Sequence, residues 1–508
     1  MSHPSDAPEG NNLLARRLGL DTHDQLVVIT HRDCPVCRSE GFSAHTRVRL
    51  KNGRRSIIAT LYQVDSGLLD PYEIGLSESA WKHLEVAEGD PIHINHPQPI
   101  VSLSAVRGRM YGKRLDRAQM HAAINDIAAG RYADVHLAMF LTSMVARDPD
   151  DDELSDMIAA MVAAGERLEW SREIIVDKHC VGGLPGNRTT PLVVAIVAEH
   201  GLWMPKTSSR AITSPAGTAD TVETMTRVDL DIETLRAVVE EHGGCMAWGG
   251  AMRLSPVDDT LIRVERLMDI DAEGQMVASV LSKKVAAGST HLVLDVPIGE
   301  TAKVRSRHDA EQLSARIERI AKRFGMVVKV MVTDGSQPIG RGMGPALEAR
   351  DVMAVLDNAP DQPHDLRDRA VLLAGALLEL AGAVEAGQGA ASAEAALADG
   401  RARRKFEAIC RAQGAWLTPP EATYREDMIA AGSGVVTRFD NRRLAQVAKL
   451  AGAPGAPAAG LALHVRLGDR VEKGQALYCI HAESRGELNY AREFAATNGI
   501  IQIDAEKK

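Results

Sequence analysis

Along the first hundred residues, apolar and polar positions alternate in short runs. "TRVRLKNG", "RSIIATLYQV" and "DPIHINHP" each keep a period near two and are separated by glycine, proline and asparagine, so they predict the strands of a small β domain over residues 1–99. From Arg114 the period lengthens. "LDRAQMHAAINDIAAG" places Met120, Ile124 and Ile127 on one helical face, with Asp116 and Gln119 in capping-box spacing and Gly130 as a stop. "YADVHLAMFLTSMVA" predicts a second helix capped by Asp134, in which Met139 and Phe140 read as core. From Arg172 apolar strands alternate with helical stretches: "EIIV", a helix from Pro191, "HLVLDVPIG", "DAEQLSARIERIAKRFG" and "VVKVMVTDG". That alternation predicts an α/β domain with a mixed or parallel sheet. The small-residue stretch from Ala381 to Gly400 reads as a surface helix and loop. The G-D-x-V-x-K-G core of "LALHVRLGDRVEKGQALYCIHAE" reads as a hairpin in a β-rich C-terminal region.

One stretch joins these patterns to chemistry. In "VDKHCVGGLPGNRTTPLVVAIVAEHG", Val176 to Gly201, a short strand over 173–176 enters a glycine-rich turn, with Thr190 as the expected N-cap, Pro191 at the first helical position and Gly201 as a stop. A loop of this kind presents backbone N–H groups at a helix N-terminus, where an anion such as phosphate is well placed, and Lys178 adds a full charge. The glycines alone would equally fit an ordinary βα turn.

Composition narrows the classes of function. The 508 residues predict about three domains. A formal net charge of -9 and 4% aromatic residues argue against a nucleic-acid surface. There is no run of eighteen apolar residues and the N-terminus is polar, so a membrane partner is not expected and a cytoplasmic location is. The six scattered cysteines fit a reducing compartment. Cys34 and Cys37, in C-x-x-C spacing near His31, could form half of a zinc site or a redox pair. No second C-x-x-C follows, and a turn in the N-terminal domain is the plainer reading.

Four motifs occur in one order: "DKHCVGG" from Asp177, "KTSSRAITSPAGTADTVE" from Lys206, "SVLSKKVAAG" from Ser279 and "TDGSQPIGRGMGPALEARDV" from Thr333. With these motifs the chain resembles the thymidine phosphorylase family, in its long branch that includes AMP phosphorylases. The resemblance runs from about Arg109 to the C-terminal hairpin, and the N-terminal β domain matches the long branch only. It implies an α/β-plus-α fold of the nucleoside phosphorylase and phosphoribosyltransferase type. The expected parts are a helical domain (100–168 and 256–288), a large mixed-sheet α/β domain (169–255 and 289–420), the extra N-terminal β domain and a C-terminal α+β region (421–508).

The implied reaction is phosphorolysis, with inorganic phosphate and a nucleoside or nucleotide as substrates and neither cofactor nor metal. By resemblance Lys178, Gly183, Thr190, Ser208 and Thr218 hold phosphate. Lys178, His179 and Asp271 serve catalysis, Asp271 as a proton donor in the nucleotide-cleaving branch. Ser209, Arg210, Ala211, Ile212, Thr213, Ser214, Arg263, Ser279, Lys283 and Lys303 face the nucleoside or nucleotide, with Arg266 the alternative to Arg263. Ser279 and Lys283 are four residues apart, on one helical face. Cys180 stands where the family has serine, and a thiol is the weaker donor.

The leading expectation is thymidine or another pyrimidine nucleoside, with a nucleoside 5′-monophosphate second; Ser209, Thr213 and Ser214 could supply the anion site that a 5′-phosphate needs. A phosphoribosyltransferase would instead need carboxylates for Mg²⁺, which "SPVDD" at Ser255 offers, and a non-catalytic nucleotide-binding protein is the third class. The resemblance implies a homodimer or larger assembly. Short strands with exposed edges would let the N-terminal domain take part in it.

Overall fold

Period-two alternation closes the N-terminal strands on themselves. In the computed structural model, β1 (Asn12–Arg17), β2 (Val27–His31), β3 (Arg47–Asn52), β4 (Arg55–Val64), β5 (Glu73–Leu76) and β6 (Pro91–Asn95) form a barrel in the order β1-β5-β2-β4-β3-β6. The structure describes residues 10–22, 25–211, 214–252, 254–268, 270 and 273–505. Alternate side chains point inward: Leu13 and Ala15, Val28 and Thr30, Val48 and Leu50, Ile57, Ala59 and Leu61, Ile74 and Leu76, Ile92 and Ile94 are all buried. Closure pairs β1 with β6, so among the described residues no strand of the barrel presents the free edge expected from the sequence. Cys34 and Cys37 flank the start of a short helix, α1 (Pro35–Ser39), inside this core. The Cys37 N–H donates to Cys34 Sγ at 3.2 Å and the Cys37 thiol to Thr30 Oγ1 at 3.4 Å.

The same compact unit, Met1–Arg147, continues through α2 (Glu78–Leu84), α3 (Ser102–Met110), α4 (Arg117–Ala128) and α5 (Asp134–Ala146). The capping box of α4 forms as its spacing requires, with Gln119 N–H on Asp116 at 2.8 Å and the reciprocal bond at 3.2 Å. In α5, Asp134 is the first helical residue rather than the cap. The N-cap is Ala133, whose N–H is met by His136 Nδ1 at 3.2 Å.

The second unit, Asp148–Lys508, opens with α6 (Asp151–Ala163) and contains the parallel sheet. Its strands are β7 (Val176–Cys180), β8 (Met204–Ser208), β9 (Gly244–Trp248), β10 (His291–Ile298) and β11 (Val327–Asp334). They run β11-β10-β7 and β8-β9, and the bridge Ile175–Trp203 links the two sets. Between them lie α7 (Thr189–Glu199), α8 (Thr218–Glu223), α9 (Ile232–His242), α10 (Pro256–Met268), α11 (Glu273–Ala286) and α12 (Arg307–Arg323). Leu192 to Val197 of α7 are all fully buried, as expected of a helix that is apolar all round.

Beyond the two-residue strand β12 (Gly342–Met343), that helix packs among α13 (Pro345–Leu356), α14 (His364–Leu380), α15 (Gly389–Ala398) and α16 (Arg401–Ala412). The small-residue stretch thus forms a packing element, not only surface. A Cβ on Gly389 would lie 2.1 Å from the Gly375 carbonyl oxygen, so glycine lets α14 and α15 touch backbone to backbone. The C-terminal region has two small sheets, built from β13 (Tyr424–Ile429), β14 (Gly434–Phe439), β15 (Gly460–Leu463), β16 (Arg470–Val471), β17 (Ala476–Ala482) and β18 (Ile501–Asp504). They pack with α17 (Asn441–Leu450) and α18 (Arg485–Thr497).

Candidate active site

The strand before the glycine loop is Val176–Cys180, later than the residues 173–176 expected from the sequence. Lys178, His179 and Cys180 therefore stand on the strand itself, paired with Val293, Leu294 and Asp295 of β10. Strand alternation sends Lys178 and Cys180 to one face and Asp177 and His179 to the other.

On the first face the loop turns sharply. Gly183 and Gly186 have φ of +81° and +72°, and a Cβ would fall 2.5 Å from the Lys303 amide nitrogen or 2.2 Å from the Ile339 carbonyl oxygen. Helix α7 begins earlier than expected, with Arg188 as N-cap, so Thr190 lies buried in the first turn and does not cap it. Lys178, 1% exposed, donates from Nζ to Thr189 Oγ1 at 2.7 Å. Burial lowers its pKa. Burial also pushes the Cys180 thiol up to about 12, with the neighbouring Asp295 carboxylate adding to the shift, so it stays protonated. Asn187 Nδ2 donates to Asp295 at 3.0 Å and to Cys180 Sγ at 3.4 Å, and Thr333 Oγ1 donates to Asp295 at 2.6 Å. At the end of β8, the Ser208 hydroxyl oxygen is buried with no partner among the described residues. Thr218, at the start of α8, accepts from Arg188 Nη1 at 2.7 Å.

The second face is an ion cluster. Asp177, fully buried, meets Lys284 Nζ at 2.7 Å and Lys206 Nζ at 3.4 Å. Burial alone would raise the Asp177 pKa, but the two ammonium groups hold it below the ordinary range. Burial and the surrounding charges of Lys284, Lys206, Lys283 and Lys178 push the half-buried His179 well below its usual value, so it is neutral near pH 7. Successive lysines of the last turn of α11 serve two carboxylates: Lys284 pairs with Asp177 on the sheet and Lys283 with buried Asp258 on α10. Asp258, one of the two carboxylates considered for Mg²⁺, is thus occupied by a lysine. The Lys283 pKa is raised, since Asp258 outweighs the opposing effect of burial.

Of the other residues expected at the site, Ser279 on α11 and Arg263 on α10 are half-buried, and Lys303 is exposed with its backbone against Gly183. Arg210 is engaged by protein groups. It donates to Glu223 from two nitrogens, pairs with Asp220 at 3.3 Å and stacks over Trp248 at 4.8 Å. The Ala211 N–H donates to Asp220 at 2.7 Å, Ser214 donates to the Ala216 carbonyl at 2.9 Å, and Ser209 is exposed. Ile212, Thr213 and Asp271 lie outside the described residues. Asp177, Asn187, Arg188, Lys206 and Lys284 were not singled out in the sequence, although the motif stretches contain them. The available signal was charge inside otherwise apolar strands, as in "VDKHC" and "MPKTS".

Three family models match this chain. Residues 104–165 match the glycosyl transferase family, helical bundle domain, residues 172–403 the glycosyl transferase family, a/b domain, and residues 435–502 the pyrimidine nucleoside phosphorylase C-terminal domain. Two solved anthranilate phosphoribosyltransferases share the fold. That from Thermus thermophilus has a TM-score of 0.52 at 22% identity, over 61% of this chain and 99% of its own. That from Saccharomyces cerevisiae has 0.50 at 16%, over 61% and 98%. Fold and site together define an enzyme that transfers a pentosyl group.

Full-length relatives are closer in sequence. A protein of Chelativorans sp. (strain BNC1) named "Putative thymidine phosphorylase" is 56% identical over 98% of this chain and 98% of its own. One of the same name from Maricaulis maris (strain MCS10) is 54% identical over 99% and 98%. One numbered 2 under that name, from Acidovorax sp. (strain JS42), is 56% identical over 97% and 96%. The chain belongs to the thymidine phosphorylase family.

Proposed function

We propose that the enzyme cleaves pyrimidine nucleosides by phosphorolysis. Inorganic phosphate attacks C1′ of thymidine from the face opposite the base, the C1′–N1 bond breaks with its electron pair leaving on thymine, and 2-deoxy-α-D-ribose 1-phosphate forms. The observation that carries this reading is a buried lysine, Lys178, beside a glycine loop and a helix start, with the buried Ser208 hydroxyl lacking any protein partner among the described residues. Phosphate fixed there, by Lys178, Ser208, Thr190, Thr218 and the backbone at Gly183, would face the positive charge that develops on the sugar.

Ser279, Lys283, Arg263, Lys303 and the stretch from Ser209 to Ser214 are assigned to the nucleoside. His179, neutral, donates an N–H to the leaving base, and the Lys283 ammonium stabilises the electron pair that the base carries away. For Arg210 to reach the base it must exchange Glu223 for substrate. The working assembly is proposed to be a homodimer or larger.

A nucleoside 5′-monophosphate is the second reading, supported by the "SSRAITSPAGTAD" form of the loop and by Asp271. Phosphate-dependent base release from thymidine, uridine, AMP, CMP and UMP, measured side by side, separates the two. Thymidine or uridine should turn over fastest, and preference for a monophosphate would overturn the first reading.

A further inference from the structure

Arg188 occupies the N-cap of α7, yet its side chain caps nothing there. Its guanidinium instead reaches three acceptors: Glu348 Oε2 at 2.6 Å from Nε, Thr218 Oγ1 at 2.7 Å from Nη1 and the Ala216 carbonyl at 2.8 Å from Nη2. Glu348 is buried on α13 and also accepts from Thr221 Oγ1 at 3.1 Å. One side chain therefore ties the phosphate loop, the start of α8 and α13 together, in the planar fork geometry that arginine provides and lysine does not.

A hydroxyl has one proton to donate and lone pairs to accept with. At Thr218 Oγ1 the acceptor side is taken by Arg188, and no acceptor for its own proton is found among the described residues. The threonines that follow it in the chain differ. The Thr221 proton is shared between the Gly217 carbonyl and Glu348, Thr224 donates to the Thr221 carbonyl and Thr226 to the Cys410 carbonyl. Thr218 is thus held as a donor with its proton unspent, at a position assigned to phosphate.

Resting on the phosphorolysis reading, we propose that Arg188 is a positioning residue for phosphate: it engages the acceptor side of Thr218, so that the hydroxyl is left to donate to the anion. It acts through Thr218 without touching phosphate itself. Loss of a hydrogen bond to a charged group weakens binding about tenfold to a hundredfold, and that is the effect expected for Thr218→Val and for Arg188→Met alike.

The test is a cycle of Arg188→Met, Thr218→Val and the double variant. Phosphate affinity is measured directly by calorimetry with inorganic phosphate, and KM for phosphate and for thymidine by turnover. Thermal melts and the companion variant Arg188→Met/Glu348→Gln, which removes the unpaired carboxylate, control for folding. The expected result is that each single change weakens phosphate equally, the double is no worse than either, KM for thymidine is unchanged, and Arg188→Lys fails to rescue. Multiplicative losses would mean that Arg188 contacts phosphate itself. Those losses, full activity in Arg188→Met, or rescue by lysine would each overturn the inference. If the wild type binds phosphate but releases no base, the phosphorolysis reading falls, while the four affinities still decide the role of Arg188. If it binds no phosphate, both fall.

Discussion

The N-terminal barrel and the parallel sheet are both built from short strands with buried faces, yet they bury opposite things. The barrel interior is Leu, Ile, Val and Ala with Phe42, Thr30 and the two thiols. The sheet buries Asp177, Lys178, Lys206 and Asp295, with Lys284 packed onto it, none of them more than 4% exposed. Apolar side chains of similar volume would fill that space with equal or better stability, because desolvating ions costs about as much as their attraction returns. The barrel is thus the solution for stability. The sheet accepts a poorer one in order to hold charge where water is excluded and electrostatic interactions are strong. Regions that keep buried charge should lose activity, or stability where one partner of an ion pair is left behind, and regions that bury only hydrocarbon should lose stability alone.

The largest break in that contrast is expected at Asp177. Asp177→Asn leaves Lys206 and Lys284 without a counter-charge and should destabilise the protein by about 3–5 kcal/mol in chemical denaturation. Because the folded-state pKa of Asp177 is depressed, its contribution is full above the ordinary range near pH 4 and is lost as pH falls through the folded value, so wild type and variant should converge on acidification. A gap that persists undiminished at pH 2–3 would contradict the ion-pair account.

Lys178→Ala comes next and acts on the other quantity. On the proposed reading, losing the Lys178 contact to the reacting anion should remove about 3 kcal/mol of transition-state stabilisation in kcat/KM, with the circular dichroism of the fold retained. Activity within tenfold of wild type would remove Lys178 from the site. In the barrel, Ile74→Val should lower stability by about 1 kcal/mol and leave kcat and KM of the folded enzyme unchanged. A kinetic effect there would show that the barrel is coupled to catalysis. The smallest effect is expected from Cys180→Ser. A hydroxyl is the better donor, so phosphate affinity should stay level or improve by up to about fivefold, the scale of one ordinary hydrogen bond. A large loss in phosphate titrations would mean that the thiol has a role of its own.

Much of this was legible in the one-dimensional pattern. Alternation over "TRVRLKNG" and "RSIIATLYQV" marked strands, the 3.6 period marked α4 with its capping box, and the ordered motifs marked the family, because these signals are local and repeat within a few residues. Local reading failed where a tertiary contact outweighed propensity. It placed the first sheet strand before Asp177, since polar D-K-H looks unlike a buried strand until Lys206 and Lys284 arrive from other elements to neutralise it. It read the residues around Gly389 as surface because nothing nearby in sequence shows that Gly375 packs against them.

The sequence by itself therefore determined the element types, the glycine loop and its lysine, and membership of the family, all of which depend on near neighbours or on ordered motifs. Only the tertiary structure decided that the barrel closes, that His179 is kept neutral among four lysines, and that Arg188 meets both Thr218 and, 160 positions along the chain, Glu348. Those outcomes depend on which distant groups share a low-dielectric space, and charge pairing and desolvation act through space rather than along the chain.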